Sequence, residues 1–118
     1  MVKKVYYLVS CDTCKRILKE LDLVNKGFEL REIKSAPITE NELNNMKEIA
    51  GSYAALFSKM ARKYKELQLS QKVLSEEEVK HYILSDYTFL KRPVIIFGNN
   101  IFVGNSANVI KEAKSLIS

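Results

Sequence analysis

Cys11 and Cys14, separated by two residues, are the side chains whose type and spacing could do redox chemistry. They follow an apolar segment, residues 5–9, and precede an amphipathic stretch that begins at Lys15. A thiol at the first turn of a helix meets unpaired backbone N–H groups and the positive end of the helix dipole, which favour the thiolate. We therefore predict that Cys11 is the more exposed, attacking sulfur and that Cys14 resolves a mixed disulfide formed there. The alternative is that both sulfurs are small core side chains.

Arg92 and Pro93 are a second pair of candidate site residues, directly before an apolar strand. Two interpretations stay open for this pair. In one, the peptide bond is cis and Arg92 faces Cys11, where it stabilises a thiolate or a bound oxyanion through charge-assisted hydrogen bonds. In the other, a trans proline starts an ordinary strand beside a solvated arginine.

Composition limits the remaining function classes. The chain has 118 residues, 47% of them hydrophobic, which suits one domain with a single core. Its net charge of +5 is dispersed along the sequence and no nucleic-acid recognition motif is present, so we expect no direct nucleic-acid binding. Two Cys and one His fall short of the four ligands that zinc needs, so we expect no metal site.

The early apolar run of residues 5–9 is far shorter than the roughly 20 residues of a membrane span, and shorter than a signal-peptide core. We therefore expect the mature protein to start at Met1, to make no membrane contact and to be cytoplasmic. A permanent structural disulfide is disfavoured in that compartment, which favours a redox pair.

Hydrophobic periodicity predicts two halves around a helical insert of about residues 39–90, all within a single domain of residues 1–118. The first half is βαβ, and its dithiol lies at the carboxyl end of the first strand, where open α/β sheets place ligands. The second half is ββα and begins after Pro93. Together they predict an α/β, thioredoxin-like fold with a four-stranded mixed sheet. The predicted elements are a strand at 3–9, a helix at 12–26 ended by Gly27, a strand from Phe28, strands at 94–97 and 101–103, and a final helix capped by Ser106.

Within the insert, Thr39 with Glu42 and Ser75 with Glu78 have the spacing of capping boxes, so each pair predicts a helix start. Between these two helices, the pattern of residues 53–69 predicts a third helix with a break near Lys59.

Several motifs resemble the arsenate reductase-like family, the ArsC/Spx group of thioredoxin-fold proteins. They are Ser10-Cys11-Asp12-Thr13-Cys14-Lys15, Leu90-Lys91-Arg92-Pro93-Val94-Ile95-Ile96 and Phe102-Val103-Gly104. The resemblance implies a nucleophilic Cys11, an active-site Arg92 and a cis Pro93. It also implies substrate-binding positions at Ser10, Asp12, Thr13 and Pro93.

The chain departs from the arsenate-reducing members of that group. Those members hold arsenate with three arginines, of which this chain keeps only Arg92. Ser58 and Gly104 stand at what resemble the other two positions, and Tyr7 stands where a histidine is usual. Because each charged hydrogen bond is worth roughly 1.5–3 kcal/mol, we do not expect efficient arsenate reduction.

The resemblance therefore implies a cytoplasmic thiol-disulfide oxidoreductase, a glutathione- or thioredoxin-coupled reductase with Cys11, Cys14 and Arg92 at its centre. We expect no bound cofactor, glutathione as a co-substrate, and a thiol or disulfide substrate with glutaredoxin or thioredoxin as partner. The alternative is an Spx-like redox-sensing regulator that binds the C-terminal domain of the RNA polymerase α subunit.

Overall fold

The computed structural model describes residues 1–117, which divide into two compact units. The first combines residues 1–37 with residues 92–117, and the second is residues 38–91. The single-domain organisation stays a prediction. In chain order the helices and strands are β1 (Lys3–Tyr7), α1 (Asp12–Glu20), β2 (Glu29–Glu32), α2 (Glu40–Ala50), α3 (Arg62–Glu66), α4 (Glu76–Ser85), β3 (Val94–Phe97), β4 (Asn100–Val103) and α5 (Ala107–Ile117).

The first unit is built on a four-stranded sheet with the order β2-β1-β3-β4. Strands β1 and β2 are parallel, whereas β3 runs antiparallel to both β1 and β4. The prediction of an α/β fold with a mixed four-stranded sheet is thus confirmed. Because β1 is an inner strand, the loop that follows it starts from a backbone paired on both sides.

One apolar cluster fixes α1 and α5 to this sheet. Side chains of β1, β3 and β4 meet residues of both helices in it, and each buried aliphatic or aromatic side chain contributes roughly 1.5–3 kcal/mol. The cluster holds α1 in place, and with it the dithiol at the start of the helix. Its buried members are Val5, Ile17, Leu18, Leu21, Leu23, Phe28, Ile95, Phe102, Ala113 and Ile117.

Two predicted boundaries in this unit were too long. Strand β1 ends at Tyr7 instead of residue 9, because the amide of Val9 donates to a side chain instead of continuing the ladder. Helix α1 ends at Glu20 instead of residue 26, since Asp22 takes a left-handed conformation at φ 54° and the amide of Leu23 bonds back to Leu18. At the carboxyl end of the chain, the predicted cap is confirmed: the Ser106 hydroxyl accepts from the amide of Val109 at 3.2 Å.

The second unit contains α2 and α4, and both predicted capping boxes are present. The Thr39 hydroxyl accepts from the amide of Glu42 at 3.1 Å, and the Glu42 carboxylate accepts from the amide of Thr39 at 2.9 Å. Ser75 and Glu78 repeat the arrangement at 3.2 and 3.1 Å.

The helix predicted over residues 53–69 is wrong as one element, but the break predicted near Lys59 is present, since residues 57–61 are not helical. The segment forms a 3-10 turn at Ala54–Leu56, the short α3, and a second 3-10 turn at Leu69–Gln71. The physical reason is a distant pairing: Phe57 forms an antiparallel bridge with Leu90, and the amide of Ser58 donates to the carbonyl of Phe89 at 2.7 Å. Backbone groups engaged in that bridge cannot serve a helix.

None of the helices formed by residues 1–117 has both the length and the apolar content that crossing a membrane requires.

Candidate active site

Cys11 is the residue that caps the amino end of α1. Its backbone is extended, with φ −94° and ψ 106°, and its Sγ accepts a hydrogen bond from the amide of Cys14 at 3.4 Å. The amide of Cys11 donates to the carbonyl of Leu8 at 3.1 Å, which closes a tight turn after β1. Cys11 is half-buried, and the first-turn amide of Cys14 donates to its sulfur.

Cys14 is fully buried, and both cysteines are free thiols, so Cys11 is the more exposed of the two, as expected. Burial raises the pKa of the Cys14 thiol from 9.0 to about 12. The next contribution is a backbone hydrogen bond with Leu8, which lowers the pKa. A hydrogen bond and charge interaction with Cys11 raise it, and the charge of Arg92 lowers it. Cys14 is therefore a neutral thiol at physiological pH, and its sulfur interacts with both Cys11 and Arg92.

Arg92 and Pro93 are joined by a cis peptide bond directly before β3, so this part of the resemblance-based prediction is confirmed. Pro93 is buried, and its carbonyl accepts from the amide of Gly104 at 2.9 Å. The Nε atom of Arg92 is buried, and its guanidinium is close enough to Cys14 to lower the pKa of that thiol. Arg92 therefore interacts with the dithiol at Cys14. The expected action of Arg92 on Cys11 stays a prediction.

The three other predicted site residues lie on the same loop and first helical turn. Ser10 is exposed and Thr13 is half-buried. The Asp12 side chain is fully exposed and pairs with Lys15 at 3.6 Å. An ion pair this exposed contributes little to stability, because water screens both charges. Ser10, Asp12 and Thr13 are all at least partly accessible, which is compatible with substrate contact. Their substrate-binding roles stay predictions.

The positions that depart from arsenate-reducing proteins have local structural roles. Tyr7 is half-buried and packs on the apolar cluster of the first unit. Gly104 adopts φ 86°, a left-handed conformation that side chains rarely take. In the second unit, the amide of Ser58 is engaged in the bridge to Phe89. Neither Ser58 nor Gly104 can supply a cation to an oxyanion.

A groove of about 380 Å³ lies in the same unit as the dithiol. Val9 and Lys15, which flank the cysteine loop, line one part of it, and Lys19 and Val24 line another. Both valines are more than half exposed. The groove therefore has apolar walls with two lysines and one carboxylate residue, Asp22, and neither cysteine is among the residues that line it.

The sequence analysis missed two contributors to this site. One is the backbone of Leu8, which interacts with both cysteines. The other is Glu32, the last residue of β2, whose carboxylate accepts a hydrogen bond from the amide of Val9 at 3.1 Å. Since β1 and β2 are parallel and adjacent, a polar residue at the end of β2 was the signal that could have indicated it. In the part of the chain that the structure describes, no group of three or more His, Cys, Asp or Glu residues is arranged to hold a metal ion.

Comparisons with known proteins agree with this architecture. The sequence model of the ArsC family matches residues 6–113. The uncharacterized protein YusI of Bacillus subtilis is 31% identical over 112 residues, which cover 91% of this chain and 93% of YusI.

Two solved structures share the fold over nearly their whole length. SACOL0876 from Staphylococcus aureus is 32% identical, with a TM-score of 0.76 and coverage of 94% of this chain and 97% of its own. A Bacteroides fragilis protein described as related to the ArsC family is 25% identical, with a TM-score of 0.80 and coverage of 96% and 98%. With a family match over most of its length, a relative above 30% identity and these structural neighbours, the chain belongs to the ArsC family.

Proposed function

We propose that this protein is a thiol-disulfide oxidoreductase in which Cys11 is the nucleophile and Cys14 the resolving thiol. The observation that carries the proposal is the asymmetry of the pair. A half-exposed sulfur receives a helix amide at 3.4 Å, and its buried neighbour is held neutral with a pKa of about 12. One sulfur is thus placed to attack a substrate, and the other stays protonated until a mixed disulfide forms.

The first step is attack of the Cys11 thiolate on a disulfide R–S–S–R, which forms a mixed disulfide and releases one thiolate RS⁻. That step removes the negative charge of Cys11. Because the charge of Cys11 is one of the contributions that raise the pKa of Cys14, its loss makes Cys14 easier to deprotonate.

In the second step the Cys14 thiol loses its proton to a released thiolate and attacks the Cys11 sulfur. The Cys11–Cys14 disulfide forms and the second thiol leaves, so two electrons have passed from the protein to the substrate. Arg92 assists here, since its positive charge lowers the pKa of Cys14. A glutathione or thioredoxin system then returns the pair to the dithiol in the cytoplasm, where such systems keep thiols reduced.

Glutathione is the co-substrate that the groove favours. Its peptide is anionic, and the groove is lined by Lys15 and Lys19 against the single carboxylate of Asp22, together with apolar side chains. Arsenate is a poorer candidate, because the Ser58 and Gly104 positions leave the oxyanion without two of the three expected cations.

The test is a glutathione- or thioredoxin-coupled reduction of a small disulfide by the wild-type protein and by the variants Cys11→Ser and Cys14→Ser. We expect Cys11→Ser to abolish the reaction and Cys14→Ser to stop at a mixed disulfide detectable by mass spectrometry. Full activity in both variants would disprove the mechanism.

The high pKa of Cys14 also favours a second candidate, an Spx-like regulator in which the dithiol is a slow switch and not a turnover catalyst. That protein would bind the C-terminal domain of the RNA polymerase α subunit in one redox state. A pull-down with the purified domain under reducing and oxidising conditions separates the two functions, and failure to bind in both conditions removes the regulator.

A further inference from the structure

We infer that Glu32 is a positioning residue for the dithiol: it holds the loop between β1 and α1 in the geometry that makes Cys11 reactive. The inference rests on the proposed role of Cys11 as the reacting sulfur. The Glu32 carboxylate accepts hydrogen bonds from backbone amides and not from either cysteine, so it acts on the sulfurs through the backbone of the loop.

Glu32 uses both carboxylate oxygens on backbone groups at one edge of the sheet. Its Oε2 accepts from the amide of Val9 at 3.1 Å. Its Oε1 accepts from the amides of Lys34 and Ser35 at 3.0 and 2.8 Å, and from the Ser35 hydroxyl at 2.8 Å. The carboxylate thus joins the turn after β2 to the loop after β1.

The residue that Glu32 holds is next to the one that contacts both cysteines. The carbonyl of Leu8 accepts from the amide of Cys11 at 3.1 Å, and the backbone of Leu8 is hydrogen bonded to the Cys14 sulfur. Fixing the Val9 amide therefore fixes the Leu8–Val9 peptide, and through the Leu8 carbonyl it fixes the turn that carries Cys11. The ladder supports the same arrangement, because the amide of Ile33 donates to the carbonyl of Tyr7 at 3.0 Å.

The charge state of Glu32 suits this role. The amides of Ser35 and, second, of Val9 lower the pKa of the Glu32 carboxyl, so it is an acceptor on both oxygens at neutral pH. A glutamine cannot replace it, since its NH₂ group would face either Val9 or the turn at Lys34 and Ser35, and a donor would then meet a donor.

The strand offers a matched control. Glu29, at the other end of β2, has a side chain that is 72% exposed and pairs with Lys4 at 3.9 Å. Glu29→Gln removes the same charge from the same strand without touching the cysteine loop, so it separates the loss of a charge from the loss of the loop contact.

The experiment measures iodoacetamide alkylation of Cys11 at neutral pH by mass spectrometry in wild type, Glu32→Gln, Glu32→Ala and Glu29→Gln, together with thermal unfolding. A second measurement is the equilibrium of the Cys11–Cys14 disulfide with glutathione. If Glu32 positions the loop, Glu32→Gln slows alkylation about tenfold and Glu29→Gln changes it less than about twofold. The equilibrium constant for disulfide formation falls by a similar factor in Glu32→Gln, a rise of about 30 mV in potential.

Three results would overturn the inference. Faster alkylation in Glu32→Gln would mean that the carboxylate acts only as a negative charge that opposes the thiolate. Equal changes of the alkylation rate in Glu32→Gln and Glu29→Gln would also mean that only the charge of Glu32 matters. A lower unfolding temperature in Glu32→Gln with unchanged alkylation and unchanged redox equilibrium would mean a purely structural role. Alkylation requires no turnover, so this test gives an answer even if the reductase assay of the proposed function is negative.

Discussion

The two cysteines should differ greatly in their reaction with iodoacetamide, because only thiolates react and the Cys14 thiol has a pKa of about 12. At about pH 8, a thiol with a pKa of 9.0 is roughly one-tenth ionised, whereas one with a pKa of about 12 is ionised in about one molecule in ten thousand. We therefore expect Cys14 to be labelled about a thousandfold more slowly than an ordinary cysteine. Burial adds to that protection.

The assay follows the two tryptic peptides by mass spectrometry after timed labelling of the native protein. The same protein in guanidinium chloride supplies the reference rate, since unfolding removes the burial that raises the pKa of Cys14. A Cys14 peptide labelled in the native protein within about tenfold of its denatured rate would refute both the burial of that thiol and the assignment of separate roles to the two sulfurs.

Three further predictions follow from the structure. The free energy of unfolding of the wild type should fall, relative to that of Cys14→Ala, by up to about 4 kcal/mol as pH rises from 9.0 to about 12. The reason is that the raised pKa of Cys14 stabilises the fold only below that pH window. Urea denaturation of both proteins across the range measures the difference, and the same dependence of unfolding free energy on pH in both would contradict the prediction. Arg92→Gln should slow release of the second thiol from a small aromatic disulfide, because loss of the cation raises the pKa of Cys14. Stopped-flow absorbance measures both phases, and Lys91→Gln, an exposed neighbour, is the control. Thr39→Ala should cost about 1 kcal/mol in urea denaturation by removing the capping box of α2; Thr39→Ser should restore it, and a stability loss in both variants would show that the methyl group and not the hydroxyl is responsible.

Interactions close together in the chain were predictable. Both capping boxes depend on residues three positions apart, so Thr39 with Glu42 and Ser75 with Glu78 could be identified without any tertiary contact. The position of the dithiol between β1 and α1 is local in the same sense, and it led correctly to the greater exposure of Cys11.

Distant interactions without a sequence motif were not predicted, unlike the approach of Arg92 to the dithiol, which its position before Pro93 indicated. The failed helix over residues 53–69 shows this, since its hydrophobic period is helical but the bridge between Phe57 and Leu90 takes the backbone groups that a helix would need. Residues 33 positions apart leave no local signal of their pairing. In the same way β1 ends before Val9 because a carboxylate 23 residues later accepts its amide.

What the sequence alone determined is the chemistry available: two sulfurs at the start of a helix, an arginine before a proline, and an α/β order of elements. The tertiary structure alone decided how that chemistry is tuned. The pKa of Cys14 depends on how many atoms surround its sulfur and on the nearness of Arg92, and the geometry of the cysteine loop depends on Glu32 from the neighbouring strand. Burial and electrostatic interaction are functions of distance in space, and folding sets those distances between residues that are far apart in the chain.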